Sequence, residues 1–273
     1  MKEIYERLNK NPDRRGELGP ESRFKFNCHK GLSCFNKCCG ELDIFLSPYD
    51  ILRLKRRFGK TSGEFLVEYT DMVITDKNKL PFIKLRMAEG KQCKFVTKDG
   101  CSIYEDRPLA CRYYPLGFAI GKRTMTEGED FYFLIEESFC KGFKEDKEWV
   151  VKEWREREGI AKYEAMNSDW IEVILNKKLL GKSVVPDEKT QSMFILGAYD
   201  VDAFRVFVHE SKFLTIFDLE DEELQLITEN EEELMKFAHR WLRYALFREP
   251  TMYLKKRDEA APPQKGCGCN TCE

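Results

Sequence analysis

The sequence lacks long hydrophobic runs and a strong excess of charge of either sign. No window approaches about eighteen consecutive apolar residues, so we expect no membrane-spanning helix. The 46 basic and 48 acidic side chains leave a formal net charge of −2, so no overall field attracts nucleic acid or an anionic membrane. The first residues contain no apolar stretch of the kind found in secretory signals, and we therefore expect a cytoplasmic protein.

The residues that usually perform acid–base or nucleotide chemistry form no recognisable pattern. His209 and His239 stand alone on predicted helices, where packed or surface histidines are common. His29 adjoins Cys28, but adjacency in sequence does not set the geometry of a thiolate–base pair. No glycine-rich loop supports a nucleotide-binding methyltransferase. The sequence therefore identifies no catalytic residue and leaves open whether the protein is an enzyme.

Cysteine is absent between residues 141 and 266, and this gap divides the eleven cysteines into two sets. The first set consists of Cys28, Cys34, Cys38, Cys39, Cys93, Cys101, Cys111 and Cys140, and the second of Cys267, Cys269 and Cys272. Structural cysteines would scatter through a core, so this segregation favours a shared site. A disulfide framework is disfavoured, because thiols stay reduced in the cytosol and because the number of cysteines is odd.

Convergent thiolates in a reducing compartment bind soft metals, either as zinc sites or as iron–sulfur clusters. Structural zinc domains usually show paired C-x₂₋₄-C knuckles, which Cys34 and Cys38 approach, whereas Cys93, Cys101 and Cys111 are spaced more widely. An iron–sulfur cluster accepts ligands from separate loops and is favoured by nearby positive charge. Basic residues adjoin the thiols, namely Lys30, Lys37, Lys94, Arg107 and Arg112. Ordinary solvated surface explains these bases equally well.

The adjacent pair Cys38 and Cys39 limits the kind of site that can form. Neighbouring side chains diverge and rarely chelate one tetrahedral ion, so the pair would ligate two metals of one cluster, or one thiol would bind while the other packs. All eight thiolates cannot bind one zinc ion at about 2.3 Å. Some cysteines are therefore not ligands, or the site is polynuclear, or there are two sites, and the spacing does not decide among these alternatives.

The eight cysteines and the segment Arg-Pro-x-x-Cys-Arg-x-Tyr-Pro over residues 107–115 resemble the YkgJ-type cysteine-cluster family, the CxxCxxCC proteins. That segment is the most specific part of the resemblance, which covers residues 24–145. The resemblance implies a zinc- or iron-chelating domain whose eight cysteines are metal ligands, with Arg107 and Arg112 binding the cofactor. The first spacing departs from the signature, with five residues between Cys28 and Cys34 and three between Cys34 and Cys38. Cys28 is therefore the least secure of the ligands.

The flagellin lysine methylases are similar in this cysteine pattern and are thought to carry an iron–sulfur cluster. That similarity favours a 4Fe–4S cluster over zinc. It also gives a second class of function, a cluster-dependent enzyme that modifies proteins or performs redox chemistry. The first class remains a metal-binding protein whose partners are the metal or cluster itself and a protein that contacts the helical half.

The pattern of elements predicts an α+β fold. An irregular, cysteine-rich α/β N-terminal half with a small antiparallel sheet is followed by a mainly helical C-terminal half. We divide the chain into a flexible N-terminal arm (1–23), a cysteine-cluster domain (24–145), a helical domain (146–257) and a flexible tail (258–273). The predicted helices in the second half cover about 144–157, 160–180, 187–198, 200–216 and 230–248, from their amphipathic spacing.

The tail carries Cys267, Cys269 and Cys272 in the spacing C-x-C-x-x-C behind Pro262 and Pro263. A flexible segment of this kind predicts a secondary metal or redox site, suited to delivering metal or to thiol–disulfide exchange. A nonessential exposed terminus is the simpler alternative, since termini tolerate change.

Overall fold

The computed structural model describes residues 14–40, 42–74, 79–119, 131–179 and 186–255. The tail cysteines, Cys267, Cys269 and Cys272, lie outside the described residues. None of the described helices combines the length and the apolar character that crossing a bilayer requires.

Short strands in the described ranges pair in small antiparallel sheets. The strands are β1 (Arg14–Leu18), β2 (Arg23–Lys25), β3 (Phe45–Leu46), β4 (Thr70–Ile74), β5 (Pro81–Leu85), β6 (Val96–Thr97), β7 (Gly100–Cys101), β8 (Leu116–Ala119), β9 (Phe131–Ile135), β10 (Glu148–Val150), β11 (Phe217–Asp218) and β12 (Tyr253–Leu254). Their orders are β1-β9-β8, β10-β2, β3-β5-β4, β6-β7 and β11-β12. Most of these strands belong to the first half of the chain.

Helices dominate the second half. The helices are α1 (Pro48–Phe58), α2 (Ser62–Tyr69), α3 (Leu109–Tyr113), α4 (Val151–Arg157), α5 (Ile160–Met166), α6 (Ser168–Leu179), α7 (Glu188–Tyr199), α8 (Val201–Glu210), α9 (Phe213–Ile216), α10 (Asp221–Glu229) and α11 (Glu231–Phe247). The predicted α+β class, with small antiparallel sheets first and helices afterwards, is confirmed. The long helix α11 packs against α6, α7, α8, α10 and α1, and so lies at the centre of the helical half.

The two helices that follow the cysteine loop begin where local sequence signals predict. Ser47 Oγ accepts a hydrogen bond from Asp50 N–H (3.2 Å), and Asp50 Oδ2 accepts one from Ser47 N–H (2.7 Å). This capping box satisfies two N–H groups that the start of a helix leaves without partners. Gly59 ends α1 in the left-handed conformation, at φ 60°. Thr61 and Glu64 form the same capping box for α2.

The predicted helix over 160–180 is broken at Asn167, which is fully buried between α5 and α6. Its amide nitrogen donates to Ser47 Oγ (3.0 Å) and to Tyr163 O (2.8 Å), and its amide oxygen accepts from Tyr49 N–H (3.1 Å). Asn167 therefore fixes the break in the helix to the start of α1. The predicted helix over 200–216 is likewise divided, into α8 and α9.

Two further expectations differ from the structure near the N-terminal half. Residues 14–18, assigned to a flexible arm, form β1 and pair with β9. The helix expected from about residue 144 begins only at Val151, because residues 148–150 form β10 and pair with β2. Both differences arise from pairing with a strand more than a hundred residues away, which local sequence signals do not report.

Both hydrophobic clusters combine residues from the two sides of residue 145. The larger cluster joins Tyr49, Phe65 and Leu85 to residues of the helical half such as Phe204 and Leu242. The smaller one joins residues near the cysteine loop to the segment that follows residue 145, and consists of Phe24, Phe26, Tyr113, Leu116, Tyr132, Val151, Trp154 and Ile160. The cysteine half and the helical half therefore share their cores.

Candidate metal centre

The first four cysteines lie on a loop that is irregular except for a 3₁₀ turn at Lys37–Cys39. Asn27 N–H donates to Gly142 O (3.0 Å), which fixes the start of the loop beside the segment that contains Cys140. Near the end of the loop Asn36 adopts the left-handed conformation (φ 67°), and its side chain donates to Thr97 O (2.8 Å). The loop therefore spans from the Cys140 segment to the β6–β7 hairpin.

Four thiols share one neighbourhood and are named here the first thiol group: Cys28, Cys34, Cys38 and Cys140. Cys34 is buried, and its Sγ accepts a hydrogen bond from Lys141 N–H at 3.2 Å. Cys28 is the exposed member, yet loss of water around its sulfur raises its pKa to about 11. Repulsion from Cys38, Cys140 and Cys34 adds to that increase, so these thiols lie within electrostatic reach of one another.

Tyr114 contacts the first thiol group through its hydroxyl, which hydrogen-bonds with the Cys140 thiol. Burial raises the pKa of Cys140, and the hydrogen bond from Tyr114 opposes that rise. The same hydroxyl lies 3.4 Å from Glu137 Oε2. Sequence reasoning did not single out Tyr114 or Glu137. The position of Tyr114 within the Arg-Pro-x-x-Cys-Arg-x-Tyr-Pro segment was the available signal.

Three thiols form the second thiol group: Cys93, Cys101 and Cys111. Burial raises the pKa of Cys111 to about 12, with additional contributions from Cys93, Asp50 and Cys101. Burial also raises the pKa of Cys93, with a contribution from Cys101. All three side chains pack against the larger hydrophobic cluster. These contacts show that residues brought from a hairpin and a separate helix meet at one place.

The local structures that carry the second thiol group agree in part with the sequence predictions. Cys111 lies on α3, in agreement with the single helical turn that Asp106, Pro108 and Pro115 predict around it. Cys101 lies on β7 opposite Val96, but Cys93 precedes β6 instead of lying on it. The Asp99-Gly100 turn signal predicts a hairpin with Cys93 and Cys101 on neighbouring strands, and this prediction is wrong for Cys93. Its carbonyl accepts from Val96 N–H (3.2 Å), so it forms the turn that enters the hairpin.

Cys38, a member of the first thiol group, is followed by Cys39, whose backbone contacts the second thiol group. The Cys39 thiol hydrogen-bonds to that of Cys38 and raises the Cys38 pKa, and burial raises it further. Cys39 O accepts a hydrogen bond from Cys93 N–H at 2.8 Å, which joins the backbone of the pair to the second thiol group. The next residues of the two segments, Gly40 and Gln92, form an antiparallel β-bridge that continues this backbone contact.

A cleft of about 730 Å³ borders the Cys38–Cys39 turn. Its walls come from the cysteine loop, from the segment before Cys93 and from the segment before Cys140, and they consist of Phe35, Asn36, Lys37, Gly40, Leu42, Gly90, Gln92, Glu137 and Phe139. The cleft is open to solvent, and its lining includes Lys37 and Gly40, which flank the Cys38–Cys39 pair.

The two arginines predicted to bind a cofactor make extensive contacts within the protein. Arg112 is buried and donates to Arg107 O (2.9 Å), Glu158 O (2.8 Å) and Glu105 O (2.5 Å). Arg107 forms an ion pair with Glu158, and its guanidinium carbon lies 3.9 Å from the Tyr104 ring centroid. The positive charge of Arg107 also opposes the rise that burial causes in the pKa values of Cys101 and Cys111.

The histidine beside the first cysteine is directed to other partners. His29 Nε2 lies 3.3 Å from Glu145 Oε2, and His29 Nδ1 accepts from Gly31 N–H at 3.2 Å. Neither contact involves Cys28, in agreement with the interpretation that adjacency in sequence does not make a thiolate–base pair.

All eight cysteines of the first set carry free thiols. Over the described ranges, no three cysteine, histidine, aspartate or glutamate side chains are arranged closely enough to hold a metal ion as they stand. The described cysteines therefore lie in two thiol groups without a preformed metal-binding arrangement.

Comparison with known families gives one match. Residues 27–141 match the family CxxCxxCC, whose description is "Putative zinc- or iron-chelating domain". No curated protein and no solved structure matches the chain. The matched stretch contains both thiol groups and the Cys38–Cys39 pair, whereas α4 to α11 lie outside it. The resemblance seen in the cysteine pattern is confirmed: over residues 27–141 this chain matches the CxxCxxCC family.

Proposed function

We propose that this protein is a cytoplasmic metal-binding protein that holds an iron–sulfur cluster, or alternatively zinc, through the thiolates of residues 27–141. The observation that carries the proposal is the assembly of the cysteines. Free thiols from four separate segments meet in two thiol groups, and Cys39 adjoins both, through the thiol of Cys38 and through the backbone of Cys93. A match to a zinc- or iron-chelating family over the same residues supports it.

The chemistry of the donor set fits such a metal. Thiolate is the ligand that zinc and iron–sulfur clusters prefer, and the protein supplies eight thiols in one region. Because no three donors stand ready as a metal-binding group in the described ranges, we expect binding to draw the thiols of a group together. Metal binding then releases the thiol protons and contributes to the free energy of folding.

Hydrogen-bond donors near the sulfurs favour an iron–sulfur cluster over zinc. Lys141 N–H donates to Cys34 Sγ, and the Tyr114 hydroxyl contacts Cys140. Hydrogen bonds to the sulfurs stabilise the negative charge of a thiolate-bound cluster and tune its reduction potential. Arg107 places a positive charge near Cys101 and Cys111. A bound cluster would supply one-electron transfer, whereas zinc would supply structural stability.

The test is anaerobic purification followed by analysis of iron, acid-labile sulfide and zinc, together with visible spectroscopy. We expect iron and sulfide with broad visible absorption, and zinc in a colourless protein would select the alternative. A matched pair of variants locates the site, because each removes three thiols. Cys93, Cys101 and Cys111 changed to Ser should lower metal content, whereas Cys267, Cys269 and Cys272 changed to Ser should not. Wild-type protein without iron or zinc would contradict the proposal.

A cluster-dependent enzyme is the second candidate, and the cleft beside the Cys38–Cys39 turn favours it. Phe35 and Phe139 offer apolar walls to a substrate, and Lys37 and Glu137 offer opposite charges. A lysine-containing peptide represents the protein-modifying class. Its addition to metal-loaded protein should perturb the visible spectrum in a saturable manner, and Phe139→Ala should weaken the effect. The control Val67→Ala changes an apolar side chain exposed outside the cleft. An unperturbed spectrum would remove this peptide class from consideration.

A further inference from the structure

We infer that residues 27–141 build two separate four-thiolate centres, with Cys38 in one and Cys39 in the other. This inference rests on the proposed metal-binding function. The first centre is the first thiol group, and the second centre is Cys39 together with the second thiol group. The spacing of the cysteines in the sequence fits either one polynuclear metal site or two separate metal sites. The contacts between the cysteine-containing segments favour two sites.

The first centre joins the beginning of the cysteine loop to the segment around Cys140. Lys141 N–H donates to Cys34 Sγ although the two residues are 107 positions apart in the chain. The hydrogen bond from Asn27 N–H to Gly142 O holds the same two segments together on the other side of Cys28. These bonds align the two segments through the backbone, independently of any ligand.

Cys39 is attached to the opposite neighbour. The hydrogen bond from Cys93 N–H to Cys39 O is immediately followed by the antiparallel bridge between Gly40 and Gln92. The chain after Cys39 therefore runs beside the chain that leads into the β6–β7 hairpin. This pairing places the backbone of Cys39 beside Cys93, whereas Cys38 is among the residues that act on Cys28 and Cys140.

In the 3₁₀ turn at Lys37–Cys39 the Cα–Cβ bonds of Cys38 and Cys39 leave the axis in different directions, although their thiols are in hydrogen-bond contact. A 3₁₀ helix has 3.0 residues per turn, so successive side chains point about 120° apart around its axis. Two adjacent cysteines in such a turn suit two different centres better than one tetrahedral ion. Because the Cys38 and Cys39 thiols are hydrogen-bonded, the two proposed centres would adjoin at this pair.

One member of the first thiol group and all three members of the second pack against different hydrophobic clusters. Cys140 packs against the smaller cluster beside Phe26, whereas Cys93, Cys101 and Cys111 pack against the larger one. Protein interiors are close-packed, so gathering both groups onto one ion would require one group to leave its core. Four thiolates complete one tetrahedral zinc site or hold one 4Fe–4S cluster. Two centres therefore use all eight cysteines of the first set.

The test compares single variants from the two centres. Cys140→Ser and Cys38→Ser should each lower the metal content per chain about twofold, and so should Cys111→Ser and Cys39→Ser. Pairs within one centre, such as Cys38→Ser with Cys140→Ser, should lose no more metal than either single variant. The cross-centre pair Cys140→Ser with Cys111→Ser should lose nearly all of it. Metal is measured as iron and sulfide after reconstitution, and separately as bound cobalt(II), whose thiolate absorption counts tetrahedral sites.

Far-ultraviolet circular dichroism and thermal melting identify variants that fail to fold. If Cys140→Ser is unfolded, Cys28→Ser replaces it, because Cys28 is the exposed member of the same thiol group. Complete loss of metal in every folded single variant would show one shared centre and overturn the inference. Metal loss on mutation of only one of the two groups would also overturn it. A wild-type protein that binds no metal would instead contradict the proposed function, so the two failures are distinguishable.

Discussion

The guanidinium of Arg112 lies over the ring of Tyr163, with 4.3 Å between its central carbon and the ring centroid. Its Nη2 also donates to the Tyr163 hydroxyl at 3.0 Å. Tyr163 belongs to α5, and Arg112 is the residue after Cys111 on α3. One side chain therefore joins the segment that contains Cys111 to the helical half.

Substitution Arg112→Lys should destabilise the protein. Lysine cannot reproduce the planar set of donors that satisfies three backbone carbonyls and the Tyr163 hydroxyl. We expect a loss of about 2–4 kcal/mol in the free energy of unfolding, because buried acceptors lose their partners. Urea unfolding measures it, and Arg23→Lys, at an exposed ion pair with Glu148, is the matched control. An unchanged free energy of unfolding with reduced metal content would instead support direct binding of the cofactor by Arg112.

Substitution Gly142→Ala should disturb the first thiol group selectively. An added Cβ would lie 2.8 Å from a ring carbon of Phe26 and 3.2 Å from Asn27 O, so the segment before Cys28 would have to move. We expect metal content to fall about twofold while the thiols of the second group still bind. Gly19→Ala is the control, because no atom lies within 4 Å of its added Cβ. Full metal content in the Gly142 variant would show that this contact does not position the site.

His239 should make the stability of the metal-free protein depend on pH. Burial lowers the pKa of His239 to about 4, whereas an unfolded histidine titrates near about 6.5. Between these values the unfolded state binds the proton and the folded state does not. The contribution of a neutral His239 is therefore fully present above about pH 6.5 and is lost as the pH falls towards 4. Asp169 is the acidic group that acts on His239, and it opposes the decrease in pKa.

The measurement is urea unfolding at pH 7 and pH 5, for wild type and for His239→Leu. From pH 7 to pH 5 wild type should lose about 2 kcal/mol relative to the variant. The comparison is needed because burial raises the pKa of Asp50 to about 6, which gives a slope of the opposite sign in both proteins. His209→Leu, at an exposed histidine, should follow wild type. Parallel pH profiles for wild type and His239→Leu would exclude His239 as the source.

Deletion of residues 264–273 tests the proposed role of the tail in metal delivery. The deletion removes Cys267, Cys269 and Cys272 and leaves both thiol groups intact. We expect unchanged metal content and slower transfer of metal to a chelating acceptor. Replacement of the three cysteines by serine keeps the length of the tail and separates the effect of thiols from that of chain length. Equal transfer rates in all three proteins would exclude a delivery role.

The elements that the sequence predicts well are those specified by neighbouring residues. Ser47, Asp50 and Gly59 define both ends of α1, because helix caps act within one turn of the chain. The break at Asn167 is different, since it depends on Ser47 and Tyr49, which are distant in sequence. No local pattern reports that contact.

The same distinction applies to the candidate site. Residue type and the Arg-Pro-x-x-Cys-Arg-x-Tyr-Pro segment identify which cysteines belong to the family pattern, but their role as ligands stays a prediction. Their division into groups depends on where the chain folds back. Cys34 meets the Cys140 segment through a contact across 107 positions, and spacing along the chain carries no information about it. The Tyr114 hydroxyl likewise reaches the Cys140 thiol only because the chain folds back at this place.

The shared cores mean that the metal-binding stretch is not a separable module. A chain that ended at residue 145 would lack the partners of Tyr49, whose ring packs edge-to-face on Tyr163 at 4.8 Å, and would uncover much of the larger cluster. Substitutions on α5 or α11 can therefore alter the thiol groups without touching a sulfur. The helices outside the family match and the cysteine-containing stretch inside it depend on the same hydrophobic clusters. A substitution tolerated in one half therefore limits the substitutions that the other half can tolerate.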